Sequence, residues 1–212
     1  MPALIALSLK KFTGIKFIFD MRGFWADERV DGGIWLESSY LYKISKWLEK
    51  KFLLNADHVV SLTEAGVDEM KNFVYLKEYF PELTVIPTCA DLNRFKPYKV
   101  SKKEQFTIGY LGNARTWYLF EETVRAFSEL LKIKPESNIL IVNKGQHDYI
   151  SKCLKQQNIP LSNVELLSSD YSGISTLINK MDAAIFFIKP VFSKQSSSPT
   201  KLAELLGCGV PC

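Results

Sequence analysis

Short apolar runs alternate with amphipathic stretches along most of this chain. Residues 16–20, Lys-Phe-Ile-Phe-Asp, have the length and character of a buried strand and follow a helix-like N-terminal stretch. Residues 38–54 place Leu41, Ile44, Trp47, Leu48 and Phe52 at helical spacing with Lys43, Lys46, Glu49 and Lys50 between them, which predicts an amphipathic helix facing a core. Residues 58–62 predict a second strand, Thr63 a cap for a helix over 64–73, and residues 84–86 a third strand. From Phe106 the alternation is regular: strands over 106–111, 138–142, 164–167 and 183–188, and helices over 120–133, 149–157, 173–181 and 199–206.

Strands alternating with helices of this length predict βαβ units and parallel sheets covered on both faces. Between the two series lies the polar, charged, proline-bearing stretch from Asn93 to Glu104. The expected organisation is therefore a first domain over 1–97, a linker over 98–105 and a second domain over 106–212. The first series offers only about three strands and lacks an opening strand with a Gly-rich turn, fewer than the usual four to six. Gly209-Val210-Pro211-Cys212 reads as a strand begun and not finished, so the expectation is a fold truncated at both ends.

Composition narrows the class of function. Hydrophobic residues are 47% and charged residues 24% of the 212, a globular mixture without low-complexity segments. A net charge of +4 lacks the basic asymmetry of a protein that lives on phosphate contacts with nucleic acid, so no nucleic-acid partner is expected. Four cysteines without CxxC spacing and two histidines, His58 and His147, point to reduced thiols and no metal. The lysines of MPALIALSLKKF follow the apolar run where a signal peptide has them before it, and no run approaches the roughly 20 apolar residues of a membrane span. The expected location is the cytoplasm, with peripheral contact at the inner membrane's cytoplasmic face considered because Lys43, Lys46, Trp47, Lys50 and Lys51 share one helix.

Candidate chemistry sits after strands, because ligands of open parallel sheets bind beyond the strands' carboxyl ends. In the run from Gln195 to Glu204, Ser198 is suited to cap a helix and Pro199 to its first position, alongside Ser197 and Thr200. Lys201 then falls in a first turn, where the helix dipole disfavours a cation unless an anion docks there, and phosphate is the candidate. Glu204, three residues on, is suited to ribose hydroxyls, while the plainer reading is an ion pair on a surface helix. After the strand over 106–111, Gly112, Asn113 and Arg115 form a turn in which backbone approaches a ligand and a guanidinium clamps a diphosphate, or else an ordinary turn. In the loop expected after residue 20, Arg22, Trp25, Asp27 and Glu28 combine charges that read hydroxyls with rings that stack on sugars, the alternative being a salt-bridged loop. No Gly-x-Ser-x-Gly elbow, Walker loop or Gly-x-Gly-x-x-Gly occurs.

Two segments together carry a family resemblance. Residues 85–95, Val-Ile-Pro-Thr-Cys-Ala-Asp-Leu-Asn-Arg-Phe, are similar to the "IPNGVDxxRF" segment of glycosyltransferase family 4, with Thr-Cys-Ala in place of Asn-Gly-Val. Residues 204–211, Glu-Leu-Leu-Gly-Cys-Gly-Val-Pro, resemble its "EAMACGVP" segment. The resemblance implies a retaining enzyme of two Rossmann-like domains (GT-B) that moves a sugar from a nucleotide diphosphate sugar to an acceptor hydroxyl, without metal or further cofactor. It assigns Arg115 and Lys201 to the donor diphosphate, as catalytic groups stabilising the departing nucleotide, and Glu204 to the ribose. Arg22, Trp25, Asp27 and Glu28 fall on the acceptor side, Asp27 and Glu28 as catalytic candidates, facing a glycan or lipid-linked acceptor. The family's first glutamate falls on Ser196, so the chain is similar instead to the branch with "SSPTKLAE", common in bacterial surface-polysaccharide assembly. Alternatives are a sugar-nucleotide epimerase of related fold and a non-catalytic fragment or assembly partner.

Overall fold

The apolar runs form strands whose burial varies, from Asn138–Val142, buried at every position, to Ile18–Met21, where Met21 alone is buried. A computed structural model describes residues 2–101 and 104–212; Lys102 and Lys103 of the expected linker lie outside the described residues. The chain forms two compact units, Met1–Thr88 with Pro190–Ser198, and Cys89–Lys189 with Pro199–Cys212.

In the first unit, α1 (Pro2–Thr13) leads to β1 (Ile18–Met21), α2 (Trp25–Asp31), α3 (Tyr40–Asn55), β2 (His58–Ser61), α4 (Glu64–Lys71) and β3 (Leu83–Val85). The three strands form a parallel sheet in the order β1-β2-β3, with Phe19 opposite Val59 and Val60 opposite Thr84. Thr63 caps α4 as expected, its hydroxyl accepting from the Gly66 N–H at 3.0 Å. The expected loop at 22–29 is instead largely α2, because Gly23, at φ +105°, turns the chain and Ala26 packs almost completely buried. The core-facing helix is confirmed only on one side of α3. Leu48, Phe52 and Leu53 are buried, whereas Leu41, Ile44 and Trp47 are more than half exposed.

The segment 190–198, expected within the second series, is fastened into the first unit by side chains. Thr63 Oγ1 donates to the Gln195 carbonyl, the Ser193 N–H donates to Asp31, Lys194 pairs with Glu28, and Thr88 Oγ1 donates to the Ser198 carbonyl at 2.6 Å. Phe192 stacks on Phe24 with ring centroids 5.1 Å apart.

The second unit runs β4 (Thr107–Leu111), α5 (Phe120–Ile133), β5 (Asn138–Val142), α6 (His147–Gln156), β6 (Val164–Leu167), α7 (Ile174–Ile178), β7 (Ala183–Ala184) and α8 (Thr200–Gly207). Its sheet is parallel in the order β6-β5-β4-β7. β5 is buried along its whole length: Ile139 and Ile141 pack with Phe120, Val124 and Phe127 of α5, and Leu140 and Val142 join Phe95, Ile178 and Leu205 on the other face. Each fully buried side chain of this size contributes about 1.5–3 kcal/mol. The expected strand over 183–188 stops at Ala184. Beyond it the chain turns to the loop after β4, where the Leu119 N–H donates to the Phe187 carbonyl and the Lys189 N–H to the Trp117 carbonyl. Residues 89–97, expected in the first domain, and Tyr98, expected in the linker, belong to this unit: Phe95 is fully buried, and the Tyr98 N–H donates to Asn179 Oδ1 at 3.0 Å. No helix of the described residues is long and apolar enough to cross a membrane.

Gly109 of β4 owes its identity to Met181. A Cβ at Gly109 would lie 2.0 Å from the Met181 sulfur, and Met181 is buried. Gly109→Ala is expected to destabilise the fold by about 1–3 kcal/mol through overpacking. In a double-mutant cycle with Met181→Ala, denaturant unfolding is expected to show a combined loss smaller than the sum of the singles by at least ~1 kcal/mol. Strict additivity would mean that the two side chains do not compete for this space.

Asp57, just before β2, anchors the start of the first sheet. Its carboxylate pairs with Lys10 at 2.7 Å, accepts the Phe17 N–H at 2.8 Å and reaches Lys16 at 3.4 Å. These donors hold its carboxyl well below the usual carboxylate range, Lys10 and the Phe17 N–H foremost. A depressed pKa contributes stability above the unfolded value, about 3.9, and loses it as pH falls through the folded value. Wild type is therefore expected to be more stable than Asp57→Asn at pH 7, with the gap closing progressively below pH ~4 in paired unfolding curves.

Candidate functional site

The second unit gathers its polar groups at the carboxyl end of β4. Gly112 leaves the strand at φ +110°, a conformation that favours glycine, and its N–H donates to the Val142 carbonyl at 3.0 Å. A Cβ here would also come within 3.1 Å of the Lys201 ammonium, so a side chain would be strained by the backbone angle and would press on the lysine. The loop that follows is held by groups that sequence patterns did not single out. Asn143 donates to the Gly112 carbonyl at 2.8 Å, Gln146 Oε1 accepts the Ala114 N–H at 2.8 Å, and Tyr110 donates to the Asn113 carbonyl at 2.6 Å. The only signal for Asn143 and Gln146 in the sequence is their position directly after the apolar strand Asn138–Val142.

Lys201 lies in the first turn of α8, and its Nζ donates to the Leu111 carbonyl at 2.8 Å. The ammonium sits 3.6 Å from the Tyr118 ring centroid, with Phe186 at 4.7 Å and Tyr110 at 5.5 Å. Removal from water lowers its pKa to about 7, against the pull of Glu204. Glu204 is itself only 8% exposed, and burial raises its pKa despite Lys201. The plainer expectation of a surface ion pair does not describe this helix, because the lysine is folded onto the strand end rather than onto Glu204.

The expected cap is also different. Pro199 stands just outside α8 in extended geometry, and no side chain caps the helix. The Ser198 hydroxyl is committed elsewhere, accepting from the Thr88 N–H at 3.3 Å. The first turn of α8, beginning at the exposed Thr200, therefore keeps its backbone N–H groups free of a side-chain cap.

Arg115 is exposed, with its guanidinium 4.3 Å from the Tyr149 ring and its N–H on Asn113 Oδ1 at 2.6 Å. It shares a cavity of about 400 Å³ with Tyr118, Glu121, Tyr149 and Lys189. Arg115 thus follows the same strand end as Gly112 and Asn113, while Lys201 approaches that end from α8.

In the first unit, α2 carries three of the four acceptor-side candidates. Asp27 is largely buried and takes a hydrogen bond from Tyr42 and one from Lys46, both at 2.8 Å. Glu28 is paired with Lys194. Trp25 is 44% exposed, edge-on to Trp35 and covered on its face by Arg29. Arg22 is exposed and makes no ion pair among the described residues.

Ser197 and Ser196 lie in the segment fastened to the first unit. Ser196 is buried between two glycines: a Cβ at Gly66 would lie 2.9 Å from its Cβ, and one at Gly23 3.3 Å from its Oγ. Its hydroxyl accepts the Phe24 N–H at 2.9 Å and donates to the Ser193 carbonyl. These contacts hold Ser196 by close packing on both sides. Among the described residues no three His, Cys, Asp or Glu side chains cluster in metal-ligating geometry.

The sequence matches no protein-family model and no curated protein. Solved structures do match. WaaG, a glycosyltransferase involved in lipopolysaccharide biosynthesis, aligns with 99% of this chain and 62% of its own at TM-score 0.60 and 14% identity. The lipopolysaccharide outer core galactosyltransferase WaaB aligns with 100% of this chain and 53% of its own at 0.59 and 11%. The pneumococcal O-GlcNAc transferase GtfA, in complex with UDP and GlcNAc, aligns with 80% and 31% at 0.58 and 14%. The chain thus spans less than two thirds of each of these proteins. At such identities the likeness is one of fold, and the chain has an α/β fold with parallel sheets of the kind found in GT-B glycosyltransferases.

Proposed function

We propose that this chain supplies the donor-binding elements of a retaining glycosyltransferase, one that moves a sugar from a nucleotide diphosphate sugar to an acceptor hydroxyl in surface-polysaccharide assembly. One observation carries the reading: Lys201, desolvated and held at the β4 end beside Gly112, stands in the first turn of an uncapped helix. A cation so placed is unfavourable by itself and favourable beside an anion. The diphosphate would exchange the Leu111 carbonyl for its own oxygens as the ammonium's partner, with Gly112 letting it approach and Arg115 and the α8 N–H groups completing the clamp. Glu204 would take a ribose hydroxyl. In the transfer, the anomeric carbon's bond to the diphosphate oxygen breaks as its bond to the acceptor oxygen forms. The nucleotide leaves with the bonding electrons and the acceptor's proton passes to its phosphate. Lys201 and Arg115 lower the barrier by meeting that charge, and no metal or further cofactor is assigned to the step.

The fold neighbours support the same class. GtfA was solved with UDP and GlcNAc, and WaaG and WaaB act in lipopolysaccharide assembly, so UDP is the first diphosphate to test. The reading places the protein in the cytoplasm. Exposed Ile44 and Trp47 beside Lys43, Lys50 and Lys51 on α3 favour contact with an anionic membrane surface there.

Calorimetric titration of the chain with UDP, GDP, ADP and dTDP is expected to show binding of one of them. Lys201→Ala is expected to weaken it by at least ~10-fold, about 1.4 kcal/mol, with the circular dichroism spectrum unchanged. Unchanged affinity in the variant would remove Lys201 from the site.

Because Lys201 titrates at about 7, facing Glu204 on its own helix and the rings of Tyr110 and Tyr118, it is charged below that pH and neutral above. Diphosphate affinity is therefore expected to fall by up to about tenfold between pH 7 and 8, with proton uptake on binding visible as a buffer-dependent enthalpy. Lys201→Arg, charged throughout, is expected to abolish that dependence.

A further inference from the structure

Between α1, β1, α2 and α3 the first unit encloses a cavity of about 380 Å³, within the usual range for small-molecule pockets of roughly 300–1,000 Å³. It opens where β1 ends, the side on which parallel sheets bind ligands. Its walls are apolar: Ala3, Phe19, Met21, Trp25, Ala26 and Phe52. Asp20 and Arg22, both exposed, also line it.

The one charged group in the deeper wall is already used. Glu49 is 7% exposed and accepts from Lys46 at 2.5 Å, and Lys46 is shared with Asp27. Asp27 and Glu28 are likewise occupied, by Tyr42 and Lys46 and by Lys194. Apart from Asp20 and Arg22 the Ser45 hydroxyl is the one uncharged side-chain polar group of the lining, too little to read the hydroxyls of a sugar ring, and a hydroxyl buried against apolar walls without a partner is unfavourable. A hydrocarbon chain needs no partner. The polar contacts that remain open, the Arg22 guanidinium and the Asp20 carboxylate, suit an anionic head group that also carries a hydroxyl.

The charge of two of the three flanking helices agrees, and the acids of the third, Asp27, Glu28 and Asp31 of α2, are engaged by Lys46, Lys194 and the Ser193 N–H. α1 contains no acidic residue, and the single acid of α3 is the buried Glu49, so every exposed charge on the two helices is a lysine: Lys11, Lys43, Lys50 and Lys51. An anionic amphiphile meets no like charge on α1 or α3, and Asp20 is the one exposed carboxylate that lines the cavity.

From these observations we propose that the cavity holds the hydrocarbon chain of a lipid-linked acceptor, with Arg22 at its anionic head. The proposal rests on the transferase reading and names its acceptor class. Trp25, one face of the cavity, reports on it.

The test is a tryptophan-fluorescence titration of the full chain with decyl phosphate below its micellar concentration, with inorganic phosphate and decyl maltoside in parallel. Saturable binding of decyl phosphate is expected, with none for phosphate alone. Ala3→Phe, or Ser45→Leu as a second way to fill the same space, is expected to weaken it at least about tenfold. Arg22→Ala is expected to weaken decyl phosphate and leave decyl maltoside unchanged. Circular dichroism and an unchanged unfolding transition check that each variant is folded, and titration with the nucleoside diphosphate separates the two readings. Absence of saturable decyl phosphate binding, or equal binding by wild type and both filled variants, overturns the proposal while diphosphate binding keeps the donor site. Loss of diphosphate binding in a chain that still takes decyl phosphate overturns the donor site and, with it, the assignment of the cavity to an acceptor.

Discussion

A lysine ammonium taken out of water is the constraint around which the second unit's strand end is arranged. Lys201 has one carbonyl and three aromatic faces in place of its hydration shell. Those partners do not fully replace water, which is why its pKa drops toward neutrality. The neighbouring choices follow from keeping the group there. Gly112 must lack a side chain, Tyr118 must stand over the ammonium, and Asn143 and Gln146 must hold the loop that carries Gly112. An anion that restores full charge to the lysine gains energy that the unliganded protein has left uncollected.

The first unit keeps its charges in a different way. Asp27, Glu28 and Glu49 are paired inside the unit with Lys46 and Lys194, so these three carboxylates are held by lysines of the same unit. The open surface near β1 is left apolar, with Arg22 and Asp20 as its polar contacts. The same sequence stretch thus separates into helix-borne residues that hold the unit together and residues that remain accessible.

The segment 190–198 connects the two kinds of chemistry along the chain. Ser196 sits between Gly23 and Gly66, and Lys194 and Thr88 fasten its flanks, while α8 with Lys201 begins two residues after Ser198. A side chain at Gly66 or Gly23 would press on Ser196, so close packing ties the three positions together.

Much of this was legible from local pattern. The helix Phe120–Ile133 and the strands Asn138–Val142 and Val164–Leu167 fall where their apolar periodicity put them, because burial on one helical face or along a whole strand is written in the order of residues. Thr63 was readable as a cap, since capping is a contact over three residues. The parallel α/β class followed from alternation alone. What tertiary structure decided were relations across long separations. Ser198 turns to Thr88 instead of capping α8, Lys201 turns to Leu111 instead of Glu204, and the chain beyond Ala184 leaves the sheet to pair with the loop after β4. Each choice is a competition between a near partner and one some 70 to 110 positions away. Sequence spacing records only the near one; the tertiary packing that brings the distant partner within hydrogen-bond reach determines which prevails.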